Sequence, residues 1–332
     1  MNTLLTGGCG FVGLNVAEQL LARGETVTIA DQLALPEPAR IDFARLPGRL
    51  EVVRLDVADA AAVDALLARV RPNLVIHMAA ITAGAERDAR EPRRIASVNF
   101  LGTLNLLEAA RAASVQRFVY ASTGALFGVA GNVAHRLDEE LDRPVPGTIY
   151  GITKYASERT CLRLRDLWQM DIRVGRLAEA YGRWEHESGR RDRMSLPWQM
   201  TRLALTGAEA VLPKAPARDY IYAIDLARAL LALADADTPS HALYHLGVES
   251  PFDSPAWCER LTRRFPTFRF RESDNASEWT VAPLAPGVRS AFKAERLRSD
   301  LGFVSRYPID AAMDDYLDWL ARHEQWLTRG NA

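Results

Sequence analysis

The sequence predicts a doubly wound α/β fold: a parallel sheet wrapped by helices, with a smaller, mostly C-terminal lobe attached. Three observations predict it. Short apolar runs alternate with helical patterns over the first two-thirds of the 332 residues, and the first run leads straight into a glycine-rich turn. After Tyr181 the texture becomes polar and loop-like, and from Pro251 prolines, tryptophans and short helical patches follow. Strands of β-branched residues separated by helices need crossover connections, which place helices on both faces of a parallel sheet.

Residues 2–5, 26–30, 50–55, 73–77, 117–120 and 171–175 read as strands, each a short β-branched or apolar run closed by a turn signal. Between them, 12–23 carries apolar positions at helical spacing and 60–70 is rich in alanine and leucine. Residues 93–113 and 152–170 read as long helices that stop before turn or strand signals. The run 218–234 looks like a strand feeding a helix, which would return the chain to the main sheet before Pro239. The expected division is therefore 1–180 plus about 213–248 for the sheet domain, and about 181–212 plus 249–332 for the second lobe.

Near half of the chain is apolar and a quarter charged, enough for a substantial core. A formal net charge of -1 supplies no field for nucleic acid or anionic lipid. A strand-like run directly after Met1 leaves no room for a secretory leader, and no stretch stays apolar long enough for a membrane span, so a cytoplasmic location is expected. Cys9, Cys161 and Cys258 are odd in number and far apart, which argues for reduced, buried thiols rather than disulfides or structural zinc. His241 and His245 have helical i, i+4 spacing but stand in a strand-like context with no third ligand nearby, so no metal site is expected.

Chemistry enters with Thr6-Gly7-Gly8-Cys9-Gly10-Phe11-Val12-Gly13, a strand running into spaced glycines and then a helix. In that setting the first glycine makes a tight turn, the second lets backbone approach a pyrophosphate and the third lets helix pack on strand. The helix N-terminus then offers its N–H groups to the phosphates. This is the Rossmann arrangement for a dinucleotide. Asp31 closes the second strand about twenty residues on, where a carboxylate accepts hydrogen bonds from the adenosine ribose and repels a 2′-phosphate. With Gln32 rather than arginine after it, NAD is favoured over NADP. Asp56, after the third strand, is a candidate for the adenine edge.

Tyr150-Gly151-Ile152-Thr153-Lys154 supplies the second motif. Taking hydride from a secondary alcohol needs a base for the hydroxyl proton, and the reverse needs the same group as acid. A phenol, titrating near 10, is a poor base at neutral pH. A lysine one helical turn away lies on the same face, favours phenolate by its charge and can also hold the nicotinamide ribose. Tyr150 is then the acid/base and Lys154 its tuner. Thr123, just beyond the strand ending at Tyr120, can orient the reacting oxygen, with Ser122 the near alternative.

With these residues in place the chain resembles the extended short-chain dehydrogenase/reductases, the NAD-dependent epimerase/dehydratase group. The glycine run, His77-Met78-Ala79-Ala80, Asn99, Ser122-Thr123, Tyr150 to Lys154 and Arg218-Asp219-Tyr220-Ile221 fall in that family's order over nearly the full length. The resemblance implies NAD bound along Gly7, Gly10, Phe11, Val12, Gly13, Asp31, Gln32, Asp56 and Val57. It implies further contacts from Met78, Ala79, Ala80, Asn99, Ala121, Tyr150, Lys154 and Leu177. Aligning Leu126-Phe127-Gly128 with the family's Val-Tyr-Gly puts Thr123 at the catalytic hydroxyl position. His77 is expected to be structural. Pairing through 93–113 and 152–170 into a homodimer is implied by analogy.

Within the family, Gly124-Ala125 replaces the Asp-Glu pair that dehydratases use, which disfavours loss of water. Glu179 stands where the family's phosphate-contacting asparagine is usual, and the arginine of Leu284-Ala285-Pro286-Gly287-Val288-Arg289 is displaced from the position that grips a second phosphate. Arg218 matches the position that holds a diphosphate and would equally hold a carboxylate. Thr82, Ser122, Thr123, Glu179, Arg190, Arg191 and Arg218 are the candidate contacts to a small, sugar-like substrate. Arg190 and Arg191 also have an alternative as loop residues paired with Glu185, Glu187 and Asp192. The reading that follows is an NAD-dependent oxidation at a secondary alcohol of a sugar or sugar acid. A UDP-sugar 4-epimerase is the alternative, and a non-catalytic NAD-binding regulatory protein the alternative of another class.

Overall fold

In the computed structural model, residues 1–214, 218–249, 251–282, 289–323 and 326 are described, with backbone alone for Arg218 and Pro251. The sequence elements follow in order: β1 Asn2–Thr6, α1 Phe11–Ala22, β2 Thr26–Asp31, α2 Glu37–Phe43, β3 Arg49–Arg54, α3 Ala60–Val70 and β4 Leu74–His77. Then come α4 Ala85–Arg90, α5 Pro92–Ala96, a π turn Ser97–Leu101, α6 Gly102–Ala112, β5 Arg117–Thr123, a 3₁₀ stretch Gly124–Gly131, α7 Ile149–Trp168 and β6 Asp171–Leu177. The rest comprises β7 Glu179–Tyr181, α8 Leu196–Thr206, β8 Ala210–Pro213, β9 Arg218–Tyr222, α9 Ala223–Asp235, β10 Leu243–Leu246, β11 Pro251–Phe252, α10 Ser254–Arg264, β12 Phe270–Ser273, α11 Glu295–Ser299 and α12 Ile309–Arg322.

Seven strands form one parallel sheet in the order β10-β6-β5-β4-β1-β2-β3. The order reverses between β1 and β4, and in such sheets ligands bind beyond the carboxyl ends of the strands at that switch. One core gathers Leu14, Leu20, Ile29, Val119 and Leu230 between the sheet and α1 and α9. The opposite face buries Leu4, Leu67, Val75, Leu106, Phe118 and Cys161 under α3, α6 and α7. Each face excludes water because its helices present apolar stripes, as the periodicity predicts. Among the described residues no helix is long and apolar enough to cross a membrane.

The structure departs from the sequence expectation at three places. The strand 218–222 joins β7 and β11 in a separate three-stranded sheet, and it is β10, beyond Pro239, that adds the seventh strand beside β6. The expected helix 93–113 is interrupted by the π turn at 97–101. Strand β5 runs to Thr123 rather than stopping at Tyr120, because Ala121, Ser122 and Thr123 pair with Gly175, Arg176 and Leu177.

Candidate functional site

The glycine turn is a geometric necessity before it is a binding site. Gly7 has φ +72°, and a Cβ there would lie 2.6 Å from the Ala79 nitrogen, so the turn packs directly on the backbone after β4. At Gly13 a Cβ would lie 2.3 Å from the Gly7 oxygen, which is how α1 sits so close to β1. Gly10 differs: a Cβ would meet only the Gly7 oxygen, at 3.3 Å, leaving that flank open to a ligand. Gly10 also caps α1 without a side-chain bond, and the first turn holds no acid, so the amides at Phe11 and Val12 face outward as donors. These residues fit a dinucleotide pyrophosphate.

Around the turn, Asp31 accepts from the amides of Cys9 and Leu33, both at 3.0 Å, locking the glycine loop to the end of β2. Burial pushes its carboxyl above the usual range. Asp56 accepts from the Ala58 amide and pairs with Arg94 at 2.7 Å. Val57 is buried, and its carbonyl accepts from Asn105 at 2.9 Å. Met78 donates its amide to the Thr6 carbonyl at 3.0 Å, which places 78–80 beside Gly7. Asn99, carried on the π turn, bonds both backbone groups of Ile81 at 2.8 and 3.1 Å and donates to Thr153 at 3.2 Å. It ties the loop after β4 to α7. His77 is fully enclosed between the Thr6 and Thr103 hydroxyls, and burial holds it well below its usual pKa, so it is a structural residue.

The reacting end forms where β5 and α7 meet. Thr148 caps α7 by accepting from the Gly151 amide at 3.0 Å, which makes Tyr150 the second helical residue. One turn on, Lys154 is 2% exposed and donates to the Ala121 carbonyl at 2.5 Å. Its ammonium also lies 4.2 Å from the centre of the Tyr120 ring. Burial pulls its pKa from 10.5 to about 7, against the opposing effects of Cys161 and Glu158. Thr123 ends β5 half-buried, with its hydroxyl accepting from the Ala125 amide at 3.2 Å, and Leu177 lies opposite it on β6. Thr123, Tyr150 and Lys154 are thus gathered at the carboxyl end of the sheet, on the strand and helix that flank its centre.

Ser122 is not part of that group. Its side chain points to the other face of β5, as strand alternation demands, and donates to Glu158 at 2.7 Å. Glu158 is fully buried and takes a bidentate pair from Arg176, at 2.7 and 3.0 Å. Arg176 meets His245 Nε2 at 3.2 Å, and His245 donates its amide to Glu139 at 2.8 Å. Burial and the neighbouring Arg176 charge keep His245 neutral, so Nδ1–H donates to the Leu137 carbonyl and Nε2 accepts from Arg176. This closed network consumes Ser122 and removes it from the substrate set.

Two further reassignments concern the segment after β7. Arg190 donates to Gln32 at 2.7 Å, and so reaches the end of β2 rather than the group formed by Thr123, Tyr150 and Lys154. Arg191 pairs with the buried Glu185 at 2.9 Å and lies 5.6 Å over the Phe11 ring. Thr82 is bridged to this segment through its backbone, donating to the Arg190 carbonyl and accepting from the Asp192 amide. The physical cause is one set of bonds, 82–87 to 189–192, that holds the segment over the glycine loop.

Glu179 sits in register with Tyr220 and accepts its hydroxyl at 2.8 Å. Arg218 is in β9, but its side chain lies outside the described part, as do Leu284 to Val288. Sequence reasoning missed Arg289 and Asp219. The Arg289 guanidinium packs against Gly124, the residue after Thr123, at a point a Cβ would occupy. It rests 5.0 Å from the Phe292 ring. Burial pushes Asp219 up to about 6 against the pull of Arg289. Among the described residues, Arg289 Nε and Asp219 Oδ1 are buried without a hydrogen-bond partner. The only sequence signal for Arg289 was its displacement from the expected spacing.

A model of the NAD dependent epimerase/dehydratase family matches residues 3–247. The chain is 34% identical over 184 residues to a UDP-glucose 4-epimerase of Mycolicibacterium smegmatis, a match spanning 55% of this chain and 57% of that one. In structure it is similar to the UDP-glucose 4-epimerase of Thermotoga maritima solved with UDP-glucose, at a TM-score of 0.80 and 23% identity, covering 98% and 100% of the two chains. It is likewise similar to the Thermus thermophilus UDP-glucose 4-epimerase complex with NAD, at a TM-score of 0.76 and 26% identity, covering 96% and 98%.

Proposed function

Since the chain belongs to the NAD dependent epimerase/dehydratase family, we propose that it is an NAD-dependent enzyme acting at a secondary alcohol of a sugar or sugar acid. The observation that carries this reading is Lys154, buried against the Ala121 carbonyl one helical turn after Tyr150, with Thr123 at the adjoining strand end. When bound, the dinucleotide supplies the hydride acceptor along Gly7, Gly10, Phe11, Val12, Gly13, Asp31, Gln32, Asp56, Val57, Met78, Ala79, Ala80, Ala121 and Leu177. Tyr150 takes the hydroxyl proton in the oxidative direction and returns it in reverse. Lys154 favours the tyrosinate by its charge, and Thr123 orients the reacting oxygen.

Glu179, Asp219 and Arg289 frame the substrate end, with Arg218 on the same strand as Asp219. An acid at 179 beside a buried Asp219 opposes a diphosphate, which favours a smaller sugar or sugar acid whose carboxylate or hydroxyls meet an arginine. The second reading, a UDP-sugar 4-epimerase, is favoured by the similar proteins named above. Purified protein incubated with NAD and a panel of sugar acids and UDP-sugars separates them. Net NADH formation is the expected result, and inversion at the sugar carbon without NADH establishes the second reading in its place.

The same proposal includes a homodimer through residues 93–113 and 152–170, supported by Leu101 on the π turn and by Ile152 and Leu167 on α7, large apolar side chains that are exposed. It also places the protein in the cytoplasm, supported by Cys9, Cys161 and Cys258 all being free thiols.

A further inference from the structure

The segment 188–193 is pinned across the opening of the dinucleotide cleft. Thr82 donates its amide to the Arg190 carbonyl at 2.9 Å, and Gly84 donates to Asp192 Oδ2 at 2.8 Å. Arg87 bonds the Gly189 carbonyl at 3.0 Å and Asp192 Oδ1 at 2.9 Å, and Gly189 takes the left-handed turn with φ +68°. These contacts fix the backbone on both sides of Arg190. Its half-buried side chain then reaches across to Gln32 Oε1 at 2.7 Å and lies close enough for its charge to act on Asp31.

In doubly wound dinucleotide sites a carboxylate at the end of β2 bonds the adenosine 2′-hydroxyl and excludes a 2′-phosphate, whereas an arginine nearby accommodates that phosphate. Here the residue after that carboxylate, Gln32, is met by an arginine from 158 residues further along the chain. Both Asp31 oxygens already accept backbone amides, from Cys9 and Leu33, and the Arg190 charge acts on the same carboxylate. We propose that Arg190 is a specificity-determining residue for the 2′ position of the adenosine ribose, countering Asp31 so that the site admits the 2′-phosphorylated dinucleotide as well as the unphosphorylated one. The proposal rests on reading the cleft as a nicotinamide dinucleotide site.

Isothermal titration of NAD and NADP into the wild type, Arg190→Ala, Arg190→Lys and Gln32→Glu tests it without any substrate. Measurable NADP binding is expected for the wild type. Arg190→Ala should raise the ratio of NADP to NAD dissociation constants by about tenfold, the scale of one lost charge-assisted hydrogen bond. Arg190→Lys should restore most of it, and Gln32→Glu, which adds a charge at the same point, should raise the ratio as well. A role confined to holding the segment in place would weaken both nucleotides alike. A ratio unmoved by Arg190→Ala, or no NADP binding by the wild type while NAD binds, overturns the inference alone. Binding of neither nucleotide overturns the dinucleotide reading together with it.

Discussion

Replacing Lys154 by methionine isolates the energetics of a single buried ammonium. At 2% exposure Lys154 has lost nearly all its hydration, and its pKa falls from 10.5 to about 7. Between those limits the folded protein holds fewer protons than the unfolded chain, so stability rises with pH across that window. Below about pH 7 the cost of the charged form is constant, and above 10.5 it is gone. For a depression of this size, linkage gives about 2 kcal/mol of stability regained between about pH 7 and pH 9. Other groups run the opposite way: burial pushes the Cys9 and Cys258 thiols up to about 12, so they keep protons that the unfolded chain releases. The informative quantity is therefore the difference between the wild type and Lys154→Met, measured by urea denaturation of the cofactor-free proteins at both pH values. Wild-type stability should gain about 2 kcal/mol relative to the variant over that range. A difference that stays flat refutes the account, because it would mean that the ammonium is as well solvated in the fold as outside it.

Tyr150→Phe should lower turnover by about 10²–10⁴-fold, the usual worth of a positioned acid/base, while leaving the NAD dissociation constant nearly unchanged by titration. Glu158→Gln leaves the Arg176 charge buried without its anion and should cost roughly 3–5 kcal/mol of stability by urea denaturation. Gly13→Ala places a Cβ 2.3 Å from the Gly7 oxygen. It should destabilise the fold by about 1–3 kcal/mol and weaken NAD binding, both readable from thermal unfolding with and without the nucleotide.

What was legible in the sequence is what local rules write. The glycine turn, Asp31 and the Tyr150–Lys154 pair depend on neighbours within about twenty residues, and β-branched runs announced six of the seven strands of the main sheet. Thr123 was found as a residue but placed beyond its strand, since Ala121-Ser122-Thr123 is small and polar and only its pairing with β6 makes it extended. The π turn at 97–101 changes a hydrogen-bond register without changing composition, so nothing in 93–113 announced it. Ser122 and Thr123 were chemically interchangeable on paper; strand alternation and the buried Glu158 separate them. The contacts of Arg190 with Gln32 and of Arg289 with Gly124 join residues more than 150 positions apart, and no spacing rule reaches that far.

The late arrival of β10 in the sheet ties the C-terminal part of the sequence to the N-terminal part. A polypeptide cut after residue 180 would contain the glycine turn, the tyrosine and the lysine, but β6 would become a bare edge, ready to pair with another chain. Arg176 would also face solvent where His245 now seals it. The sheet that begins at Asn2 is therefore complete only with residues 243–246.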